Sequence, residues 1–255
     1  MRRADGSAGD ADYGLIGGGY ARFRRPDERI AALIHGALGS ARLVLNVGAG
    51  TGSYEPTDRE VVAIEPSAAM RAQRPAHLSP AIDGVAESLP FEDKYFDAGM
   101  ALYTVHQWSQ LAVGLAEMRR VTRGPVVVMT ADPNEVQQFW LNAYAPQVLA
   151  AEAKRCPAIE TIAQDLGGVI EVWPIPIPLD CKDGFNEAYY GRPERFLDES
   201  ARLACSSWSF VDPSVADASV DQLRHGLEDG SWGMRYGHFR SQPEYLGSLR
   251  LVISR

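Results

Sequence analysis

The sequence predicts an α/β protein built on a doubly wound, mostly parallel sheet, and three observations carry that expectation. Short apolar runs recur at residues 43–47, 61–64, 96–102 and 126–130, with a weaker run at 81–85. Stretches of helical period alternate with them, which is the pattern of a sheet covered by helices on both faces. The first run, Leu43 to Val47, passes directly into a loop with glycine at alternate positions, Gly48, Gly50 and Gly52. In open sheets of this kind, ligands collect outside the carboxyl ends of the strands.

Taken in order, residues 1–19 are rich in Gly, Ala and Asp and predict a flexible arm. Pro26, Asp27 and Glu28 suit a first helical turn, and Ile30, Leu33, Ile34 and Leu38 follow at helical spacing. Only residues 53–60, with Pro56 among them, separate the glycine loop from the second strand, so the usual crossover helix shrinks to about a turn. Leu111, Leu115, Met118 and Val121 mark a helix before the strand at 126–130.

Past residue 132 aromatic residues multiply. Phe139, Trp140, Leu141, Tyr144, Val148 and Leu149 form a helical stretch. Residues 169–172 then read as a strand, halted by prolines at 174, 176 and 178 because proline removes ladder donors and is confined to edges. Residues 180–240 read as short helices, and 249–253 as a closing strand. The expected organisation is one domain over residues 20–255, with cap elements at about 134–165 and 180–240 over the ligand site.

With 255 residues, 45% of them hydrophobic, the chain can bury one full core. A formal charge of −8 argues against a nucleic-acid partner, whose binding rests on clustered Lys and Arg. Arg22, Arg24 and Arg25 are one local basic group, read equally as a solvated turn or a ligand contact. Three scattered cysteines, Cys156, Cys181 and Cys205, give neither a disulfide framework nor a metal site, and fit a reducing cytoplasm. No secretory signal and no apolar run of membrane-spanning length is present.

Glycines after a strand let the backbone take positive φ and bring its N–H groups close to a ligand. A dinucleotide fingerprint needs G-x-G-x-x-G, but Ser53 stands at the place of its last glycine and Gly52 comes one position early. The second strand ends at Glu65, a carboxylate aimed at the same crevice and suited to a ribose diol. Further stretches follow in order: Glu65-Pro66-Ser67-Ala68-Ala69-Met70, Ala86-Glu87-Ser88-Leu89-Pro90-Phe91, Tyr95-Phe96-Asp97, and Thr104-Val105-His106-Gln107-Trp108. Together these resemble the class I S-adenosylmethionine (SAM)-dependent methyltransferases over roughly residues 20–132.

The resemblance implies a Rossmann-like, seven-stranded, mostly parallel sheet with a final antiparallel strand, and a cytoplasmic enzyme, monomer or homodimer, that acts without nucleic acid, membrane or metal. SAM would be its cofactor and S-adenosylhomocysteine (SAH) its product. The implied cofactor contacts are Tyr20, Asn46, Gly48, Ala49, Gly50, Gly52, Glu65, Pro66, Met70, Ala86, Glu87, Ser88 and Leu102. Departures from the pattern are Asn46 in place of an acid, Val85 in place of an acid before Ala86, and Arg123-Gly124-Pro125 in place of a Pro-Gly-Gly turn.

Methyl transfer is a displacement that chiefly needs positioning of nucleophile, methyl and sulfur. His106, after the fourth strand, is the candidate base for an O, N or acidic C nucleophile. Its competing role is structural. Trp140, Tyr144, Tyr189 and Trp208 are the expected walls of a pocket for a small aromatic or apolar acceptor. Two alternatives stand beside this reading: an RNA or protein methyltransferase, and a SAM-binding relative without catalysis.

Overall fold

The computed structural model describes residues 20–255, with the side chains of Tyr20 and Ala21 outside the description. The arm expected at 1–19, and any cofactor contact by the Tyr20 ring, lie outside the described residues. Helix α1 (Glu28–Leu38) starts where Asp27 accepts the Arg29 N–H as its N-cap, and buries Ile30, Ile34, Ala37 and Leu38.

The central sheet contains β1 (Leu43–Val47), β2 (Glu60–Ile64), β3 (Ala98–Leu102), β4 (Val126–Ala131), β5 (Ile170–Pro174) and β8 (Leu249–Ser254), in the order β2-β1-β3-β4-β8-β5. The first four are parallel, and β8 runs antiparallel to both β4 and β5. The expected antiparallel return is thus present. Strand β5 is an edge strand that ends at Pro174, as its prolines require. The pair β6 (Ile177–Pro178) and β7 (Glu244–Tyr245) forms a separate two-stranded patch.

The sheet has six strands rather than seven. Residues 81–85 form a single parallel bridge, Ile82 to Ile64. Two backbone bonds hold it, Ile82 N–H to Ala63 O and Glu65 N–H to Ile82 O. Pro80 lacks the N–H that would extend the ladder, and Ile82 is 44% exposed, so no burial rewards a longer strand.

Between β1 and β2 there is no helix. The turn is anchored instead by Glu55, whose fully buried carboxylate accepts from Arg74 Nη1 (3.1 Å) and Nη2 (2.8 Å) and from Asn46 Nδ2 (2.8 Å). A buried ion pair is tolerated where such extra bonds satisfy it.

Two cores flank the sheet. On one face Leu45, Val47, Val126 and Val128 pack with helix α3 (Leu111–Val121), which follows the short helix α2 (Ala68–Ala72) in the chain, and with a later helix, Ile159–Leu166. On the other, Val44, Met100, Val127 and Met129 meet α1 and a large aromatic cluster. Alternate strand residues thus point to opposite cores, as both-sided burial demands.

That cluster corrects the expected pocket wall. Trp140 is 5% exposed, edge-on to Trp232 (5.4 Å), Phe196 (5.8 Å) and Tyr144 (6.0 Å), and its Nε1 donates to Tyr190 O. Tyr144, Tyr189 and Trp208 are likewise buried, Tyr189 edge-on to Phe196 and Trp208 bonded to Asn186. Their rings fill the core because their apolar area is worth more there than on a polar site wall.

The segment that follows β6 is tied to the sheet by Glu187, which accepts the Ser248 N–H with both oxygens (2.8 and 3.0 Å) at the entry to β8. Burial, with the Glu152 charge nearby, pushes this carboxyl from 4.5 up to about 7. A raised folded value means the native state holds a proton that the unfolded chain has lost, so this group's stabilisation falls as pH rises from 4.5 to about 7. The loss is on the order of 3 kcal/mol. In urea melts at pH 5 and pH 7.5, Glu187→Gln is expected to flatten that decline. An equally steep decline in the variant would contradict the assignment.

Candidate functional site

A cleft of about 920 Å³ opens at the carboxyl ends of β1, β2 and β3. The glycine loop forms its floor. Gly48, Gly50 and Gly52 have φ of +67°, +53° and +92°, values that L-residues avoid. A Cβ on Gly48 would sit 2.0 Å from Thr104 Oγ1, so the close packing of loop against the β3 exit also excludes a side chain. A Cβ on Gly52 would meet Leu78 and Arg74 instead, which places Gly52 in the turn rather than on the cleft wall.

Glu65 follows directly on β2 and is buried. Its Oε2 accepts the Gly50 N–H (2.7 Å) and its Oε1 the Ser67 N–H (2.8 Å). The acid therefore fixes the glycine loop while lining the cleft. Burial raises its carboxyl above 4.5, and the two backbone donors pull it down. Pro66 and Met70 continue this wall.

Asn46 is also on the wall. Because a carboxylate can only accept, Asn46 must turn its Nδ2 to Glu55, which leaves Oδ1 as an acceptor toward the cleft. The opposite wall holds Ala86, Glu87 and Leu102 together with Val85 and Trp108. Glu87 has a local duty as well, accepting Ser109 Oγ (2.8 Å) and the Gln110 N–H (3.0 Å) before α3. Gly114 of α3 would place a Cβ 2.6 Å from Trp108 Cε3 and 3.0 Å from Ala86 Cβ, so its bare backbone seats the helix against this wall. Ser88 is outside the cleft lining, its N–H bonded to Val85 O.

The roof was hidden from sequence reading. Arg24 Nε donates to Asp183 Oδ1 (2.6 Å), Tyr54 Oη donates to Asp183 Oδ2 (2.9 Å), and the Gly184 N–H donates to Phe23 O (2.8 Å). Arg24, Tyr54 and Asp183 all line the cleft. Tyr54 and Tyr103, both on its lining, carry positive φ (64° and 55°), backbone strain of the kind held at functional sites.

A second chamber of about 540 Å³ shares Arg24 and Tyr103 with the cleft. His106, on the turn Val105–Gln107 after β3, lines this chamber and not the cleft itself. Glu152, Asn186 and Ser207 add polar groups, and Phe185, Ala204 and Cys205 an apolar side. Among the described residues no group of His, Cys, Asp and Glu could hold a metal ion.

Comparison with known proteins agrees with this geometry. Residues 45–128 match the methyltransferase domain family, the segment that carries the glycine loop, Glu65 and His106. A proposed methyltransferase from an antibiotic biosynthesis pathway of Anabaena variabilis is 28% identical, with a TM-score of 0.83 covering 91% of this chain and 99% of that one. Residues 45–128 thus carry a methyltransferase domain, and the chain is similar to the class I SAM-dependent methyltransferases. A SAM-dependent enzyme of Thermotoga maritima, described as a possible histamine N-methyltransferase, shares the fold: TM-score 0.52, 14% identity, 94% of this chain and 90% of that one. The uncharacterized protein YafE of Escherichia coli (strain K12) is 36% identical over 62 residues, 23% of this chain, and the match spans 30% of that relative's length.

The cofactor of this family, SAM, suits the residues present. The cleft offers bare backbone at Gly48 and Gly50 for close approach, a carboxylate at Glu65 where a ribose would lie, and the Asn46 oxygen for an ammonium. A helix crossing a membrane is absent among the described residues.

Proposed function

We propose that this methyltransferase transfers the methyl group of SAM to an O, N or acidic C atom of a small molecule seated in the second chamber. The observation that carries the reading is the shared boundary: Tyr103 and Arg24 line both the cofactor cleft and the chamber, so a group reaching past them meets the cofactor. SAM brings an activated methyl on a sulfonium, so the chain has chiefly to place and enclose its partner.

In this reading Glu65 holds the ribose, Asn46 Oδ1 the amino group, and the Trp108 and Ala86 wall the adenine. The Arg24–Asp183–Tyr54 cluster closes the roof against water. His106 is the base for an acceptor that must lose a proton, placed on the chamber wall. The Anabaena protein's pathway supports a biosynthetic small-molecule role. The acidic composition and the small size of the chamber favour a small acceptor over RNA. The core placement of Trp140, Tyr144, Tyr189 and Trp208 removes the argument for a purely aromatic pocket.

SAM carrying a labelled methyl group, offered with pooled small amines, phenols and alcohols, is expected to yield labelled small molecules, and bulk RNA is expected to stay unlabelled. Label in RNA alone would contradict the proposal.

A further inference from the structure

The second chamber contains a carboxylate that the reading above leaves without work. Glu152, on the helix Pro146–Arg155, is held by the side chains of Asn186 and Ser207, and both bonds fall on Oε2. Asn186 has no freedom to do otherwise. Its Oδ1 accepts Trp208 Nε1 (3.1 Å), so its amide nitrogen must face Glu152 and Ser207 Oγ (2.9 Å). Asn186, Ser207 and Trp208 are 3%, 2% and 5% exposed, so this support is a built one. Among the described residues Glu152 Oε1 accepts no hydrogen bond.

We propose that Glu152 Oε1 is the specificity contact of the acceptor chamber, receiving an N–H or O–H donor from a small acceptor with an apolar frame. This rests on the reading of the chamber as the acceptor site. A carboxylate in a confined site is costly unless its lone pairs are used. The chamber's other wall, Phe185, Ala204 and Cys205, accepts hydrocarbon. An anionic acceptor is disfavoured because the chamber's cations are engaged: Arg24 grips Asp183, and Arg155 lies 4.1 Å over the Phe210 ring and donates to Ser206 Oγ. Burial raises the Glu152 carboxyl above 4.5 while Asn186 and Ser207 hold it down. Burial, with the Glu152 charge as a lesser cause, disfavours ionisation of Tyr103, on the boundary with the cleft. Trp208 is a positioning residue here, acting through Asn186.

Calorimetric titration with phenethylamine, 2-phenylethanol and 3-phenylpropanoate, each with and without saturating SAH at pH 8, tests this. The amine and the alcohol are expected to bind and the carboxylate to bind at least tenfold more weakly. Glu152→Gln should weaken phenethylamine by about 10- to 100-fold, the range for a bond to a charged group, and leave SAH affinity within twofold. Trp208→Phe keeps the ring and removes the donor, and should weaken the amine severalfold with SAH unchanged. Preferential binding of the carboxylate, no binding of either donor, or an unchanged amine affinity in Glu152→Gln would each overturn the proposal. Failure to bind SAH strikes the methyltransferase reading instead, because the titrations without SAH still decide the role of Glu152.

Discussion

Gly48→Ala is expected to abolish SAH binding and to lower stability by roughly 2–5 kcal/mol. Two independent costs add. A residue with a Cβ held at φ +67° loses about 1–2 kcal/mol. The new methyl would also stand 2.0 Å from Thr104 Oγ1 and 2.8 Å from its Cβ, so the β3 exit must move, an overpacking cost of about 1–3 kcal/mol. Displacement of the loop matters more for binding than for folding, since in the proposed mode of binding the backbone is what would approach the cofactor. The double variant Gly48→Ala/Thr104→Ala relieves the Oγ1 clash but neither the Cβ contact nor the φ penalty, and should recover part of the stability. Urea unfolding and SAH titration read both effects. Near wild-type values for Gly48→Ala would show that the loop is not confined as described.

Glu65→Ala is expected to weaken SAH by about 100-fold or more. Hydrogen bonds to a charged acceptor are worth about 1.5–3 kcal/mol each, and a ribose diol would make two. The substitution also strips the acceptors of the Gly50 and Ser67 N–H groups, so the loop and the turn before the short helix Ala68–Ala72 lose their shared anchor. Glu65→Gln separates the two roles. It keeps one oxygen but sets an amide N–H against a backbone N–H, and should fall between wild type and alanine. Wild-type affinity in Glu65→Ala would place the ribose elsewhere.

Much of the cleft's lining was legible in the sequence because its parts are local. Gly48, Gly50, Glu65, Pro66 and Met70 lie within one strand-loop-strand-helix stretch, and the parallel order of β1 and β2 puts them at one end of the sheet. Asn46, read as a loss of charge, has a carboxylate directly behind it in Glu55, a partner nine residues away that no motif marks. Arg24 and Asp183 are 159 positions apart, and their pairing depends on how the later part of the chain folds back, which local pattern does not encode. The same holds for Glu152 with Asn186 and Ser207. Trp140 and Trp208 show a different limit. A ring at helical spacing suits a core and a ligand wall equally well, and only the packing of Phe196, Trp232 and Tyr236 around Trp140 decides it. The strand expected at 81–85 rested on a weak apolar run, and Pro80 and the exposure of Ile82 explain why it is reduced to a bridge.

If the glycine turn and the carboxylate that follows β2 hold an adenosyl cofactor, parallel calorimetric titration of the purified protein with SAH and with NADH will show saturable, stoichiometric binding of SAH and none of NADH. Absence of SAH binding, or tighter binding of NADH, would overturn the assignment.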